Sequence, residues 1–297
     1  MSPRIKAHLA LLGTNLFFAC NYSTIKYFTG NNYAGPFGIN IIRLGVCVVL
    51  FWILFFFKPT KNRISKSDLL SLIGCAFTAV VLNQLLFIKG LSYTLPIHAS
   101  LLTLITPILI IILAARILKE RLTNSKILGV LLGVSGALIL IAFREKGAPG
   151  DNLPLGDLLI ILSSIAYTFY FIMVKPLMEK NTPIMVVRWI FTFGFFMTLP
   201  LSYGEFASIS WEIFSIKDWL LLFLIVVPGT FLAYIFNVYG IKILDASTAG
   251  AYMYSQPVFA VIIAMIFLKE EFTMSKILAA ALIFAGVYLT NRKIIPK

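Results

Sequence analysis

Within the long apolar runs of this chain, the side chains able to do chemistry are mostly neutral. Asn21, Asn83, Gln84, Asn237 and Gln256 are amides, and Tyr167, Tyr170 and Tyr252 add phenol hydroxyls. Away from water each needs a hydrogen-bond partner, supplied by a neighbouring helix or by a polar solute. Tyr167 and Tyr170 share one side of a helix at i, i+3, and Tyr252 and Gln256 share a face at i, i+4. His98 is the one group inside these runs that titrates near neutral pH. As a set these residues predict a polar-aromatic site for an uncharged or zwitterionic small molecule. Singly, each also fits an interhelical hydrogen bond, worth about 0.6–2 kcal/mol in a membrane.

Catalytic chemistry finds no constellation. The two histidines, His8 and His98, stand about ninety residues apart, no acid cluster accompanies them, and no Walker A loop is present. Cys20, Cys47 and Cys75 lie in apolar stretches without a CxxC, so neither disulfide nor metal site is indicated. No catalytic residue, metal or cofactor is expected. All 12 acids map to helix ends or connectors, which leaves a permanently cationic solute without a counter-charge. Lys26, Lys89 and Lys175 sit within about a turn of helix ends and are read as snorkelling to the headgroups. Arg43 and Arg188 stand one to two turns inside helices at corresponding places of the two halves. They are read as structural, snorkelling or positioning the halves.

The elements that must carry these groups follow from composition. Of the 297 residues 60% are hydrophobic and 12% charged, which belongs to the membrane class. Apolar runs of spanning length fall near 8–28, 35–57, 68–90, 95–117 and 126–143, then 157–176, 183–202, 217–241, 247–268 and 277–291. An all-α integral membrane protein with ten transmembrane helices is expected, because lipid leaves no partner for open backbone groups. The net charge of +13 resides largely in short tracts such as Lys58, Lys61, Arg63 and Lys66. These tracts read as cytoplasmic-loop determinants, and no soluble module is available for nucleic acid. With the N-terminus inside, the first half places Arg4, Lys6, Lys58, Lys61, Arg63, Lys66, Arg116, Lys119, Arg121 and Lys126 inside and only Lys89 outside. The expectation is a multi-pass protein of the cell (inner) membrane, with a signal-anchor first helix and both termini cytoplasmic. The lipid bilayer and a small-molecule substrate are its expected partners, and its oligomeric state stays open.

The two halves match each other at an offset of 150 residues. Pro107 meets Pro257, Leu118-Lys119-Glu120 meets Leu268-Lys269-Glu270, Ser125-Lys126-Ile127-Leu128 meets Ser275-Lys276-Ile277-Leu278, and Gly136 meets Gly286. Two five-helix repeats are expected, over 8–143 and 155–291. Five spans is an odd number, so the second repeat must enter the membrane with opposite polarity, a 5+5 inverted-topology repeat. Pro107 and Pro257 each remove a backbone bond mid-helix, and the matched pair reads as hinges or fixed kinks. Glu120 and Glu270 read as capping the tight turns that follow.

Pro107, Leu118-Lys119-Glu120 and Gly136, repeated as Pro257, Leu268-Lys269-Glu270 and Gly286, resemble the paired EamA domains of the drug/metabolite transporter superfamily. Asn21 stands five residues before Lys26, as in that family's first helix, although Phe18-Ala19-Cys20 replaces the usual Trp-Gly. The resemblance covers about 8–291. It implies a ten-helix exporter of amino acids or other metabolites, with a central cavity lined by helices 1, 3, 4, 6, 8 and 9. Alternatives inside the superfamily are a broader-specificity drug exporter and a phosphate-bearing sugar transporter. The second wants a lysine in the wall of helix 9, and none lies between Ser247 and Leu268. The small-multidrug branch wants an intramembrane glutamate in its first helix, which is absent here.

Overall fold

The computed structural model describes residues 1–31, 33–57, 65–94, 99, 102–119, 123–142, 153–268 and 274–291. His98, Glu120 and Glu270 lie outside the described residues. Those described form ten helical rods: α1 (Pro3–Gly30), α2 (Pro36–Phe57), α3 (Lys66–Ala76, Phe77–Leu82 and Asn83–Tyr93), α4 (Ile105–Ile117) and α5 (Asn124–Ala142) in the first half. The second half holds α6 (Leu153–Lys180), α7 (Pro183–Ala207), α8 (Ile216–Val226, Val227–Leu232 and Ala233–Ile243), α9 (Ala246–Ala251, Tyr252–Tyr254 and Ser255–Leu268) and α10 (Met274–Asn291). Among the described residues, α2, α3, α6, α7 and α8 are long and apolar enough to cross a membrane by length and composition.

Local chemistry sets where the rods begin and end. Ser2 accepts a bond from the Ile5 amide with Pro3 at the first helical position, and Ser65 caps α3 at Asp68. Ser215 and Asp218 form a reciprocal capping box at the start of α8. Asp245 caps α9 at the Thr248 amide (3.0 Å) and pairs with Lys126 of α5 at 2.9 Å. Burial pushes the Asp245 carboxyl up, but the bonds from Lys126 and Thr248 outweigh it and hold the group below its ordinary value.

Two C-termini end on lysines. Lys26 Nζ donates to the Ser92 and Thr94 carbonyls at 3.0 and 3.1 Å, closing α3. Lys175 Nζ donates to the Ile241 and Leu244 carbonyls at 2.7 and 2.6 Å, closing α8. These cations answer the negative helix end and its orphan carbonyls, so they bind inward rather than snorkel outward. Lys89 lies over the rings of Tyr93 and Phe37.

The rods pack in a pattern that survives exchanging each for the one five places on. Rod α3 packs on α6 and α1 on α8, α4 packs on α6 and α1 on α9, while α2–α7 and α5–α10 are self-matched pairs. Both long composite rods carry a π-helical turn, Phe77–Leu82 and Val227–Leu232, again 150 residues apart. The outer surface is apolar: Phe57 is 81% exposed and Leu70 74%, whereas Asn40, Thr198 and Ser202 are wholly buried. A polar interior behind an apolar exterior suits lipid as the surrounding solvent.

The prolines stand elsewhere than mid-helix. Pro107 and Pro257 each occupy the first turn of an α-helical segment, just after a turn at 103–104 and the 3-10 turn Tyr252–Tyr254. The proline nitrogen could not bond the carbonyl four residues back, at Thr103 or Met253, so each rod breaks there instead of merely kinking. Thr106 N–H bonds the Thr103 carbonyl at 3.0 Å, tightening the first of these breaks.

At α5–α10 the backbones meet. A Cβ on Gly286 would lie 2.5 Å from the Gly129 carbonyl oxygen and 2.9 Å from the Gly133 nitrogen, whereas one on Gly204 would meet nothing within 4 Å. Gly286→Leu is therefore expected to force the two rods apart and cost about 1–3 kcal/mol of overpacking. Gly204→Leu is expected to leave stability unchanged within about 0.5 kcal/mol. Thermal melts of both variants in detergent check this contrast.

Candidate functional site

At the centre of the exchange-related packing lies a cavity of about 660 Å³, including its open mouth. Its walls come from α1 (Phe18, Asn21, Tyr22, Ile25), α3 (Asn83, Gln84, Phe87, Ile88) and α6 (Ser163, Ser164, Tyr167). Thr103 comes from the turn before α4 and Thr106 from the first turn of α4, Met253 from the 3-10 turn of α9 and Gln256 from the helical turn that follows it, Tyr234 from α8 and Arg43 from α2. The two prolines thus place broken, not continuous, helix against the cavity. Irregular backbone of this kind is tolerated at membrane depth only where it is buried in protein or lines a cavity.

Of the nine residues expected at the site, Asn21, Asn83, Gln84, Tyr167 and Gln256 line this cavity. Asn237 stands behind the wall and donates through Nδ2 to the Tyr167 hydroxyl at 3.0 Å. Tyr170 is 1% exposed and packs beside Tyr167 at 5.4 Å between ring centroids, outside the lining. Tyr252 lies one turn from Gln256 toward α1, where its hydroxyl meets His8 Nδ1 at 2.7 Å.

The lining is tied together by single bonds that leave polar atoms over. Asn21 Nδ2 donates to the Gly229 carbonyl at 2.7 Å, inside the π-helical turn of α8. Asn83 Nδ2 donates to the Ser163 carbonyl at 3.0 Å, and the Tyr22 hydroxyl donates to Gln256 Oε1 at 3.2 Å. Gln84 Nε2 donates to the Tyr234 hydroxyl at 3.0 Å, while Gln84 Oε1 has no partner among the described residues. Positions 84 and 234 are 150 apart, so the bond joins two repeat-equivalent residues where the halves meet. Phe18 packs edge-on to Tyr234 and Phe87 edge-on to Tyr22, leaving polar and aromatic surface side by side.

The two intramembrane arginines part company. Arg188 is stacked on Phe55 at 3.7 Å and on Trp52 at 4.7 Å, an aromatic cage between α2 and α7 that fits its structural reading. Arg43 instead lines the cavity at 5% exposure, and its Nε donates to Thr230 Oγ1 at 3.0 Å. Sequence reasoning passed over Arg43 as a site residue, along with Tyr22, Tyr234 and the hydroxyls of Thr103, Thr106, Ser163 and Ser164. The repeat offset from Gln84 was the signal that could have found Tyr234. Among the described residues no group of three or more metal-ligating side chains comes together.

An apolar-surfaced helical bundle with a small polar-aromatic chamber at the meeting of two matched halves belongs to the class of membrane transport proteins. The EamA-like transporter family matches residues 5–142 and again 154–292, and the chain belongs to that family, within the drug/metabolite transporter superfamily. It is 28% identical over 244 residues to the uncharacterized transporter YetK of Bacillus subtilis (strain 168), covering 82% of this chain and 74% of that one. It is 25% identical over 292 residues to a probable terminal-alkyne amino-acid exporter of Streptantibioticus cattleyicolor, covering 97% and 94%. A solved crystal structure, 18% identical, shares the fold at a TM-score of 0.76 over 97% of each chain.

The axial pair invites a double-mutant cycle. Tyr234→Phe leaves both ends of the Gln84 amide unpaired, and a stability loss of about 1–3 kcal/mol is expected. Gln84→Met together with Tyr234→Phe removes both partners and is expected to recover part of that loss. Melting temperatures of the two single variants and the double variant measure the coupling.

Proposed function

We propose that this chain is a secondary transporter that exports amino acids or related small metabolites by alternating access through the central cavity. The observation that carries this reading is the packing pattern, unchanged when α1–α5 and α6–α10 trade places around a chamber. Such a bundle, read as ten membrane spans in two repeats of opposite polarity, has two related states, one open to each side. Both repeats, over 8–143 and 155–291, then contribute equally to the gate. The positive tracts of the first half put both termini in the cytoplasm of a multi-pass cell-membrane protein. Asn21, Asn83, Gln84, Tyr167 and Gln256 bind solute in the chamber, supported by Asn237 from behind. The Streptantibioticus relative, a probable terminal-alkyne amino-acid exporter, supports amino acids over other solutes.

Reconstitution tests the reading. Purified protein in liposomes is expected to move at least one neutral or zwitterionic metabolite from panels of amino acids, nucleosides and amines. Uptake no greater than in empty vesicles across all panels would overturn it.

Pro107 and Pro257 act in this reading as hinges, because each forbids the bond that would heal the break beside the cavity. With Pro257→Ala, the new N–H can reach the Met253 carbonyl and stiffen α9 into a continuous rod. Turnover is expected to fall several-fold with little change in KM. Unchanged turnover in the same vesicles would remove the hinge role.

A further inference from the structure

We infer that Arg43 is the residue that recognises the transported solute, and that it does so by gripping a carboxylate. The inference rests on the transport reading above and narrows its substrate class to monocarboxylates, amino acids included.

Four interior cations can be compared. Lys26 and Lys175 each hold backbone carbonyls at a helix end, and Arg188 is enclosed by Phe55 and Trp52. Arg43 is as buried as Arg188, at 5% exposure, yet its bond among the described residues is to a single neutral hydroxyl, that of Thr230. No carboxylate among the described residues forms an ion pair with it, and the cavity it lines contains neither aspartate nor glutamate. A buried guanidinium without a counter-charge is costly, and the cost is relieved when an anion joins it.

The geometry fits a planar acid. Guanidinium presents five N–H donors in a fixed fork. Thr230 takes the Nε edge, and its own hydroxyl is anchored to the Ile225 carbonyl at 2.6 Å across the π-helical turn. That anchoring sets the plane of the fork. The two Nη groups remain for a bidentate partner, the arrangement in which arginine binds carboxylate most strongly. One positive charge matches one monoanionic group; a phosphate monoester brings about two negative charges and would leave one unanswered.

The rest of the lining complements that choice. Gln84 Oε1 has no donor among the described residues and suits an ammonium or hydroxyl elsewhere on the solute. Phe18, Ile25, Phe87 and Met253 offer an apolar wall for its body. The companion half repeats the arginine as Arg188 but not the pair: position 80, which corresponds to Thr230, is Val80, and Arg188 lies against Phe55 and Trp52. The recognition group therefore breaks the symmetry of its surroundings, as a ligand without two-fold symmetry requires.

The test uses proteoliposomes of the full chain and the proteinogenic amino acids, each matched with its carboxamide and its decarboxylated amine. For any amino acid that wild-type protein moves, the amide and the amine are expected to move at least tenfold more slowly. Arg43→Gln is expected to reduce transport of the acid at least tenfold and to abolish its advantage over the amide, with Arg43→Lys retaining part of both. Should Arg43→Gln fail to fold, the wild-type discrimination alone decides. Amides or amines moving as fast as their acids would overturn the role of Arg43 and leave transport standing. No movement of any of the three sets would overturn the role of Arg43 in recognising amino acids, and the transport reading with it only if the nucleoside panel is not moved either.

Discussion

Every polar group carried into this bundle must find its partner inside it, because the surface around it is apolar and offers none. The rest of the architecture follows from that requirement. Two C-terminal carbonyl clusters would be orphaned in the interior; Lys26 and Lys175 reach across from the neighbouring rods α1 and α6 to bind them. Each lysine thereby fastens the first rod of its half to the third rod of the same half. The same rule places Arg188 in an aromatic cage and sets Asn21 on a carbonyl of the α8 π-helical turn. Two of the acceptors left unsatisfied among the described residues, Asn21 Oδ1 and Gln84 Oε1, belong to residues lining the chamber.

The chamber is therefore a by-product of how the halves pack as much as a feature carved for a ligand. Rods α4 and α9 break beside it because prolines deny them a backbone bond. Rods α3 and α8 each accommodate an extra residue in a π-helical turn, and the one in α8 bonds two of the chamber's lining residues, Asn21 and Arg43. Four interruptions, two per half, give irregular backbone close to the middle of an otherwise regular helical protein. Continuous rods would close that space with side chains, as in an ordinary bundle core.

Much of this was legible in the residues. The apolar runs, the offset of 150, the matched prolines and the family resemblance rest on composition and identity, which need no coordinates. The chamber's lining was legible only in part, for a geometric reason. Lipid and protein interior are both apolar, so a membrane helix carries a weak periodic signal for how it is rotated about its axis. Tyr167 and Tyr170 are about 60° apart around α6 at i, i+3, enough for one to reach the cavity and the other to point into the neighbouring rods. Arg43 suffered likewise: a cation one to two turns inside a span reads the same whether it snorkels or faces a chamber. The π-helical turns left no trace at all, since inserting one residue into a helical hydrogen-bond ladder changes neither hydropathy nor composition.

Gln84 and Tyr234 occupy the same place in the two halves, yet one is an amide and the other a phenol. Two arrangements related by exchanging the conformations of the halves are not isoenergetic when equivalent residues differ. In a carrier built on this plan, the state open to one side and the state open to the other differ in free energy even with the chamber empty, and about 1.4 kcal/mol is enough for a tenfold bias in population. Such a carrier, when empty, rests mainly facing one compartment, and its apparent affinity for solute differs between the two faces. The unlike pair at positions 84 and 234 is one source of such a bias, present whatever the cargo.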